Sequence, residues 1–306
     1  MNRRNFVISA IGAAAALTAQ LSRRVFSQEQ AASKQKFKLK YAPHFGMFEN
    51  LAGGDPIDQL KFAADEGFSA FEDNGMMGQP VEMQEKIAKE ITRLGLTMGV
   101  FVAYSGFGSP KMVTDTSKGF QDSLRSQMKN AVEVAKRVNA KWCTVVPANV
   151  TQNLEMDYQT ANLIENLKVM AEVCEPAGLV MVLEPLNWWA NHPGLFLTRI
   201  PQAYQICTAV NSPSCKILDD LYHQQVSEGN LIPNMEKAWD QIGYIQVGDN
   251  PGRNEPTTGE INYKNIFRYL YNKGYKGLIG MEHGKSKGGK EGERAVINAY
   301  RQCDDF

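Results

Sequence analysis

Histidine is scarce in this chain, with four in 306 residues. That is few for a zinc enzyme relying on imidazole, so any metal site is tilted towards oxygen ligands and hence Mg²⁺ or Mn²⁺. The five cysteines, Cys143, Cys174, Cys207, Cys215 and Cys303, are odd in number and form no CxxC pair. This excludes a cysteine zinc site and a disulfide framework, and leaves the thiols as small core residues. Neither sign of charge is in excess, with 33 basic and 33 acidic residues, so no net field recruits nucleic acid or an anionic membrane. No glycine-rich nucleotide turn follows the first β-like run. What is abundant is apolar residue, 43% of the chain, enough for a sizeable core. The length accommodates one α/β barrel of about 250 residues.

The N-terminus reads MNRRNFVISAIGAAAALTAQ, in which Arg3 and Arg4 precede Asn5, Phe6 and an Ala-rich run ending near Ala19. This resembles a twin-arginine export signal, and cleavage after Ala19 or Ser27 is compatible with the small residues there. The apolar run is shorter than the roughly 20 residues a membrane span needs. The expectation is therefore a signal and flexible leader over residues 1–36, a periplasmic protein, and no stable membrane anchor after processing.

From residue 37 onward β-rich runs alternate with amphipathic helical ones. The pattern predicts eight strands at 37–44, 69–74, 96–104, 142–148, 179–187, 215–222, 242–248 and 277–283. Helical periodicity falls at 56–66, 81–94, 120–138, 158–177, 200–210, 232–240, 261–273 and 291–301. Gly67, Gly95, Asn139, Gly178, Asn211 and Gly274 sit where left-handed helix C-caps are expected. Helix-to-strand links are short, whereas strand-to-helix loops are long and carry the unusual residues. That asymmetry predicts a single-domain (β/α)₈ TIM barrel over residues 37–306, with its site at the C-terminal strand ends. A doubly wound open sheet is the alternative.

Carboxylates sit at the tips of apolar strands: Glu184 ends LVMVLEPLN, Glu282 ends GLIGMEHG, and Asp219 and Asp220 with His223 end CKILDDLYH. A fourth strand opens into the polar loop after Val247. Buried carboxylates are costly unless paired, and a divalent cation is the usual partner. Glu184 shares parity with Val180 and Val182, and Glu282 with Leu278 and Gly280, so both point into the barrel; Asp219 alternates to the other face, towards a helix.

Four segments then carry a resemblance: VLEPLN (182–187), DLYHQQ (220–225), IQVGDNPGRNEPTTGEINY (245–263) and GLIGMEH (277–283) are similar to the signatures of the hydroxypyruvate isomerase family. That family lies within the xylose-isomerase-like barrels, which also include ketose 3-epimerases. The resemblance implies one divalent cation, Mg²⁺ or Mn²⁺, held by Glu184, Asp220, Gln246 and Glu282. Epimerases of the group carry histidine at the Gln246 position, so the glutamine leans towards the hydroxypyruvate isomerase branch. His223 is a candidate for a substrate hydroxyl or carbonyl contact, or for holding Asp220. Arg253 suits an anionic or oxyanion group, since a guanidinium binds a carboxylate bidentately. His44 and Trp188, with Trp189, are placed at the mouth as substrate contacts or as packing. Asp249 and Glu255 shape the 245–263 loop or act in it.

Two carboxylates at one metal suit proton transfer next to a carbonyl through an enediolate, with Glu184 and Glu282 as the catalytic pair. The resemblance implies interconversion of hydroxypyruvate and tartronate semialdehyde. Epimerisation or isomerisation of a sugar, or elimination from a keto-glycoside, would use the same residues, and an exported protein favours a carbohydrate. A non-catalytic sugar-binding protein is the reading from another class. The expected partner is a small carbonyl or sugar substrate, with no nucleic acid and with a homo-oligomer left open.

Overall fold

A computed structural model describes residues 36–306; the expected export signal with Arg3 and Arg4 lies outside the described residues. The strands in chain order are β1 (Tyr41–Ala42), β2 (Ala70–Phe71), β3 (Thr97–Met98), β4 (Val102–Ser105), β5 (Trp142–Val146), β6 (Val180–Leu183), β7 (Cys215–Asp220), β8 (Ile242–Gln246) and β9 (Ile279–Gly280). All pairings between them are parallel. One sheet runs β1-β9-β8-β7-β6-β5-β4, and β2 pairs with β3. Two seams close the ring. The bridge His44↔Glu72 joins the β1 side to β2, and backbone bonds Asp73 N to Val100 O (3.3 Å) and Val102 N to Asn74 O (3.2 Å) tie β2 to the next stave. The chain is thus an α/β TIM barrel, as the alternation predicted.

The expected strand 96–104 is two short strands, a correction with a clear cause. Its first half pairs with β2 and its second with β5, and it bends between them around Gly99 to Phe101. The expected strand 215–222 also stops early. Asp220 is its last residue and at the same time caps the following helix, accepting from Tyr222 N and His223 N, so Leu221 and Tyr222 are helical. The expected strands 37–44, 69–74 and 277–283 shrink to two residues each.

The helices are α1 (Glu49–Ala52), α2 (Pro56–Asp65), α3 (Val81–Leu94), α4 (Lys111–Thr114), α5 (Lys118–Val138), α6 (Met156–Cys174), α7 (Ile200–Val210), α8 (Leu221–Ser227), α9 (Leu231–Ala238), α10 (Tyr263–Asn272) and α11 (Gly289–Asp304). Of these, α1, α4 and α8 were not expected; they are single or double turns without a full amphipathic period. The longer ones bury one stripe each. In α5 the buried residues Leu124, Met128, Ala131, Val132, Ala135 and Val138 recur at helical spacing, and Ser117 caps the start. All six residues expected as C-caps have positive φ, from 53° at Asn139 to 89° at Gly67. The five cysteines are free and buried, as small core residues.

Two apolar layers position the site. The larger core fills the space between sheet and helices, while Ala42, Ala70, Val100, Val182, Leu218, Tyr244 and Leu278 pack together inside the barrel. The inner plug forms a floor. Side chains alternate along a strand, so the residues two positions further on also face inward, one layer nearer the C-terminal mouth.

Candidate active site

Two residues beyond that floor lie His44, Glu72, Val102, Glu184, Asp220, Gln246 and Gly280, with Glu282 one layer higher. Glu72, Glu184, Asp220 and Gln246 are buried, while Glu282 sits at the open end with about a quarter of its side chain exposed. Ligand atoms of Glu184, Asp220, His223 and Glu282 all lie within 4.8 Å of one another. Sheet register places Gln246 between Asp220 and Gly280. The strand-tip carboxylates predicted from parity therefore converge at one end of one barrel.

So many acids at close quarters raise the cost of ionisation. Burial holds the Glu184 carboxyl well above its usual range, and the charges of Glu282 and Asp220 add to the effect. Glu282 is pushed up to about 7, by burial first and then by Asp220. Arg253 offsets part of this charge: its Nη2 donates to Glu282 Oε2 at 2.7 Å and lies 3.4 Å from Asp220 Oδ2. The guanidinium also stacks 5.0 Å from the Tyr222 ring centroid. Arg253 was expected to meet an anionic substrate group; here it is held by two acids at the mouth.

The loop that delivers Arg253 is shaped by the two acids left open above. Asp249 accepts from Gly259 N (2.8 Å) and Ile261 N (3.0 Å), and its backbone pairs with Asn254. Glu255 accepts from the Ser286 backbone and hydroxyl. Both are occupied in holding the loop.

His223 can be assigned a tautomer. Its Nδ1 lies 3.2 Å from the Asn187 backbone N–H and 2.7 Å from Asn187 Nδ2. A backbone amide only donates, so Nδ1 accepts, and the proton of a neutral ring sits on Nε2. Burial lowers the His223 pKa to about 3, which keeps the ring neutral. The Nε2–H then faces Asp220 Oδ2 at 3.7 Å and has no other partner among the described residues. Such a nitrogen donates to an oxygen and does not ligate a cation, although its position in the acidic cluster would allow it on distance alone.

The remaining donors are all oxygens: carboxylates of Glu184, Asp220 and Glu282, and the amide oxygen of Gln246, which is buried without a hydrogen-bond partner among the described residues. That set fits a hard divalent cation.

Several neighbours were not anticipated. Asn74 Nδ2 donates to Glu282 Oε1 at 2.9 Å, and Glu72 contacts both Tyr244 and Gln246. Their strand, SAFEDN, presents Glu72 and Asn74 at alternate positions, so parity could have singled them out once it was read as an inward strand end. His44, Phe45, Glu72, Asp73, Asn74 and Glu282 line a cavity of about 240 Å³ at this side of the mouth. Opposite, Asn187 grips His223 and Asn191, and the turn it caps carries Trp188 and Trp189, stacked at 4.5 Å and 46% and 68% exposed. His192, also unanticipated, lies 5.3 Å from the His223 ring and 5.1 Å from that of Phe107.

A barrel with an acidic cluster at the C-terminal ends of its strands has the layout of a TIM-barrel enzyme. The sequence profile of the xylose isomerase-like TIM barrel matches residues 60–303, and the chain belongs to that family. Among its relatives, the hydroxypyruvate isomerase of Escherichia coli is 32% identical over 54% of this chain and 64% of its own length, just under two thirds. The 2-oxo-tetronate isomerase of Cupriavidus necator is 27% identical over 74% of this chain and 86% of its own. Among solved structures, a 3-keto-D-glucoside 4-epimerase from E. coli superposes with a TM-score of 0.70 at 20% identity, covering 88% of this chain and all of that one, a likeness of fold.

Proposed function

We propose that this protein is a metal-dependent isomerase that moves a proton next to a carbonyl through an enediolate, acting on a small 2-oxo acid of the hydroxypyruvate type. The observation that supports it most is the pairing of Glu184 and Glu282. Ligand atoms of the two carboxyls converge on one centre with Asp220, all within 4.8 Å of one another. Two carboxylates at one centre let one take a proton and the other return one.

Glu184, Asp220, Gln246 and Glu282 would hold one Mg²⁺ or Mn²⁺. Bound there, the cation supplies positive charge beside the substrate carbonyl and the enediolate oxygens that follow. Of the two glutamates, one would remove the proton on the carbon bearing the hydroxyl and the other would return a proton to the former carbonyl carbon, while the hydroxyl proton passes from that oxygen to the former carbonyl oxygen, so that no proton is gained or lost overall. The His223 Nε2–H would hold Asp220 or donate to a substrate oxygen that reaches it. Arg253 neutralises the acids and offers the remaining guanidinium edge to a carboxylate of the substrate. His44 and the Trp188 loop border the mouth on opposite sides. The kinship with isomerases favours this chemistry over sugar binding without turnover, which needs no pair of bases.

A carbohydrate substrate is the second reading, favoured by the twin-arginine-like N-terminus and by the exposed aromatics Trp188, Trp189 and Phe107 near the mouth. The test is a turnover screen with Mg²⁺ or Mn²⁺ on hydroxypyruvate, 2-oxo-tetronate, free ketoses and keto-glycosides, run in D₂O. The proposal expects conversion of a 2-oxo acid, with deuterium entering the carbon next to the carbonyl. Conversion of sugars alone replaces the substrate, and the absence of any metal-stimulated turnover rejects the mechanism.

A further inference from the structure

Gln246 is the one neutral member of the donor set, and an amide presents either oxygen or nitrogen to whatever it faces. Only the oxygen can serve a cation, and the NH₂ group repels one. Something must therefore fix which end points where. Among the described residues there is one partner for the nitrogen: Gln246 Nε2 lies 3.4 Å from Glu72 Oε1, while Gln246 Oε1 is buried and has no partner among them. Glu72 is itself pinned. Its Oε2 lies 2.8 Å from the Tyr244 hydroxyl, and Tyr244 is part of the apolar floor two residues before Gln246 on the same strand.

Neighbouring strands leave space for this group. A Cβ at Gly280 would stand 2.3 Å from Glu72 Oε2 and 2.8 Å from Gln246 Cγ. At Gly99 it would stand 2.5 Å from the Tyr244 hydroxyl and 2.9 Å from Glu72 Cβ. Two strands thus present glycine where any side chain would displace the Glu72, Tyr244 and Gln246 assembly. A buried carboxyl with no role would not need two such clearances, since a leucine would fill the same volume with less penalty.

We propose that Glu72 is a positioning residue that fixes the amide of Gln246, holding its Nε2 so that Oε1 is the atom offered to the metal. This rests on the metal-site reading given under Proposed function. The geometry requires only that the Glu72 oxygen facing Gln246 be an acceptor. That holds for the carboxylate, and equally for the neutral acid with its proton shared with Tyr244.

The test is Mn²⁺ binding to the full-length protein by calorimetry, independent of any substrate. Glu72→Ala removes the acceptor, and Mn²⁺ affinity should fall roughly 10- to 100-fold, the usual range for losing an outer-shell partner. Glu72→Gln keeps an oxygen for Gln246 with its NH₂ turned to the Tyr244 oxygen, and should stay within about threefold of the parent. In a Gln246→Ala background, Glu72→Ala should cost nothing further, because its effect runs through Gln246. Glu72→Leu, which fills the site, serves if the alanine variant does not fold, and should lose affinity like Glu72→Ala. Unchanged Mn²⁺ affinity in a folded Glu72→Ala or Glu72→Leu protein overturns the positioning role and leaves the metal site standing. The same full loss in the Gln246→Ala background overturns it too, since Glu72 would then act by another route. A parent protein that binds no Mn²⁺ overturns both readings at once.

Discussion

Glu282 and Glu184 differ from Asp220 in what their loss should do. Glu282→Gln keeps an oxygen of nearly the same shape but no basicity, so Mn²⁺ binding should weaken while turnover falls further, by roughly two to four orders of magnitude. Glu184→Gln should behave alike, and the double variant should lose little beyond either single one, because groups acting as a unit are not additive. Asp220→Asn should act mainly on metal affinity and be partly rescued by excess Mn²⁺. Steady-state kinetics against Mn²⁺ concentration separate these outcomes. A fully active, metal-loaded Glu282→Gln enzyme would show that Glu282 is a ligand only. The strand-tip acids behind these predictions were legible from the sequence, since a carboxylate ending an apolar run has few other reasons to be there. Glu72 and Asn74 were legible only in principle, since their parity in SAFEDN is visible once that strand is known to end inward, whereas the His223 tautomer depends on an Asn187 backbone amide 36 residues away.

At the scale of the element, β7 carries two acids with opposite fates. Asp220 ends the strand and caps α8, which is why the helix begins one residue later and the expected strand is cut short. Such double use cannot be read from a run of residues that suits either strand or helix. Asp219 points away from the barrel interior, as its parity predicted, but its Oδ1 finds no partner there, and burial together with Asp220 raises its pKa to about 8. The linkage has a definite sign. The folded state holds the Asp219 proton that the unfolded state releases above about 3.8, so this residue's contribution is complete below that pH and is lost as pH rises towards 8. Asp219→Asn should therefore be more stable than the parent at pH 7 to 8, with the difference vanishing near pH 4. In a barrel of this size each kcal/mol amounts to about 2 to 4 °C in Tm. Thermal melts across pH decide it, and an asparagine variant less stable at pH 8 than at pH 4, relative to the parent, contradicts the assignment. Gly280→Ala is the complementary change on β9. The added methyl meets the Glu72 carboxyl, and overpacking there should cost about 1 to 3 kcal/mol in denaturant unfolding.

The whole molecule was legible because the alternation of short strands and amphipathic helices survives local errors. Misplacing a boundary by a few residues, as at β1 and β9, leaves the order of elements intact, and the closed parallel ring follows from that order. What escaped was the broken third stave, whose two halves answer to different neighbours. The N-terminal segment raises a separate expectation: with Arg3 and Arg4 both changed to Lys, a twin-arginine substrate stays in the cytoplasm, which fractionation of an expressing cell measures. Unaltered export would remove that assignment and with it one reason to favour a carbohydrate.

If the acidic centre where β6 to β9 converge holds the proposed cation, the stability of the barrel should depend on it. Under the proposed function a cation would bind the folded site and not the dispersed acids of the unfolded chain, so at 100 times its dissociation constant it would add about 2.7 kcal/mol. Chelation should then lower Tm by roughly 5 to 10 °C at neutral pH. The pH dependence follows from Glu282. Without metal its folded pKa is raised to about 7, so the metal-free protein loses stability as pH rises from the ordinary carboxylate range through 7. A cation favours the ionised carboxyl and must displace that proton, so binding strengthens over the same window. The gap in Tm between Mn²⁺-loaded and chelated protein should accordingly widen from pH 5 to pH 8. A gap of constant size would mean that no proton leaves the site on binding, and a chelated protein as stable as the loaded one at pH 8 would remove the metal from the account altogether.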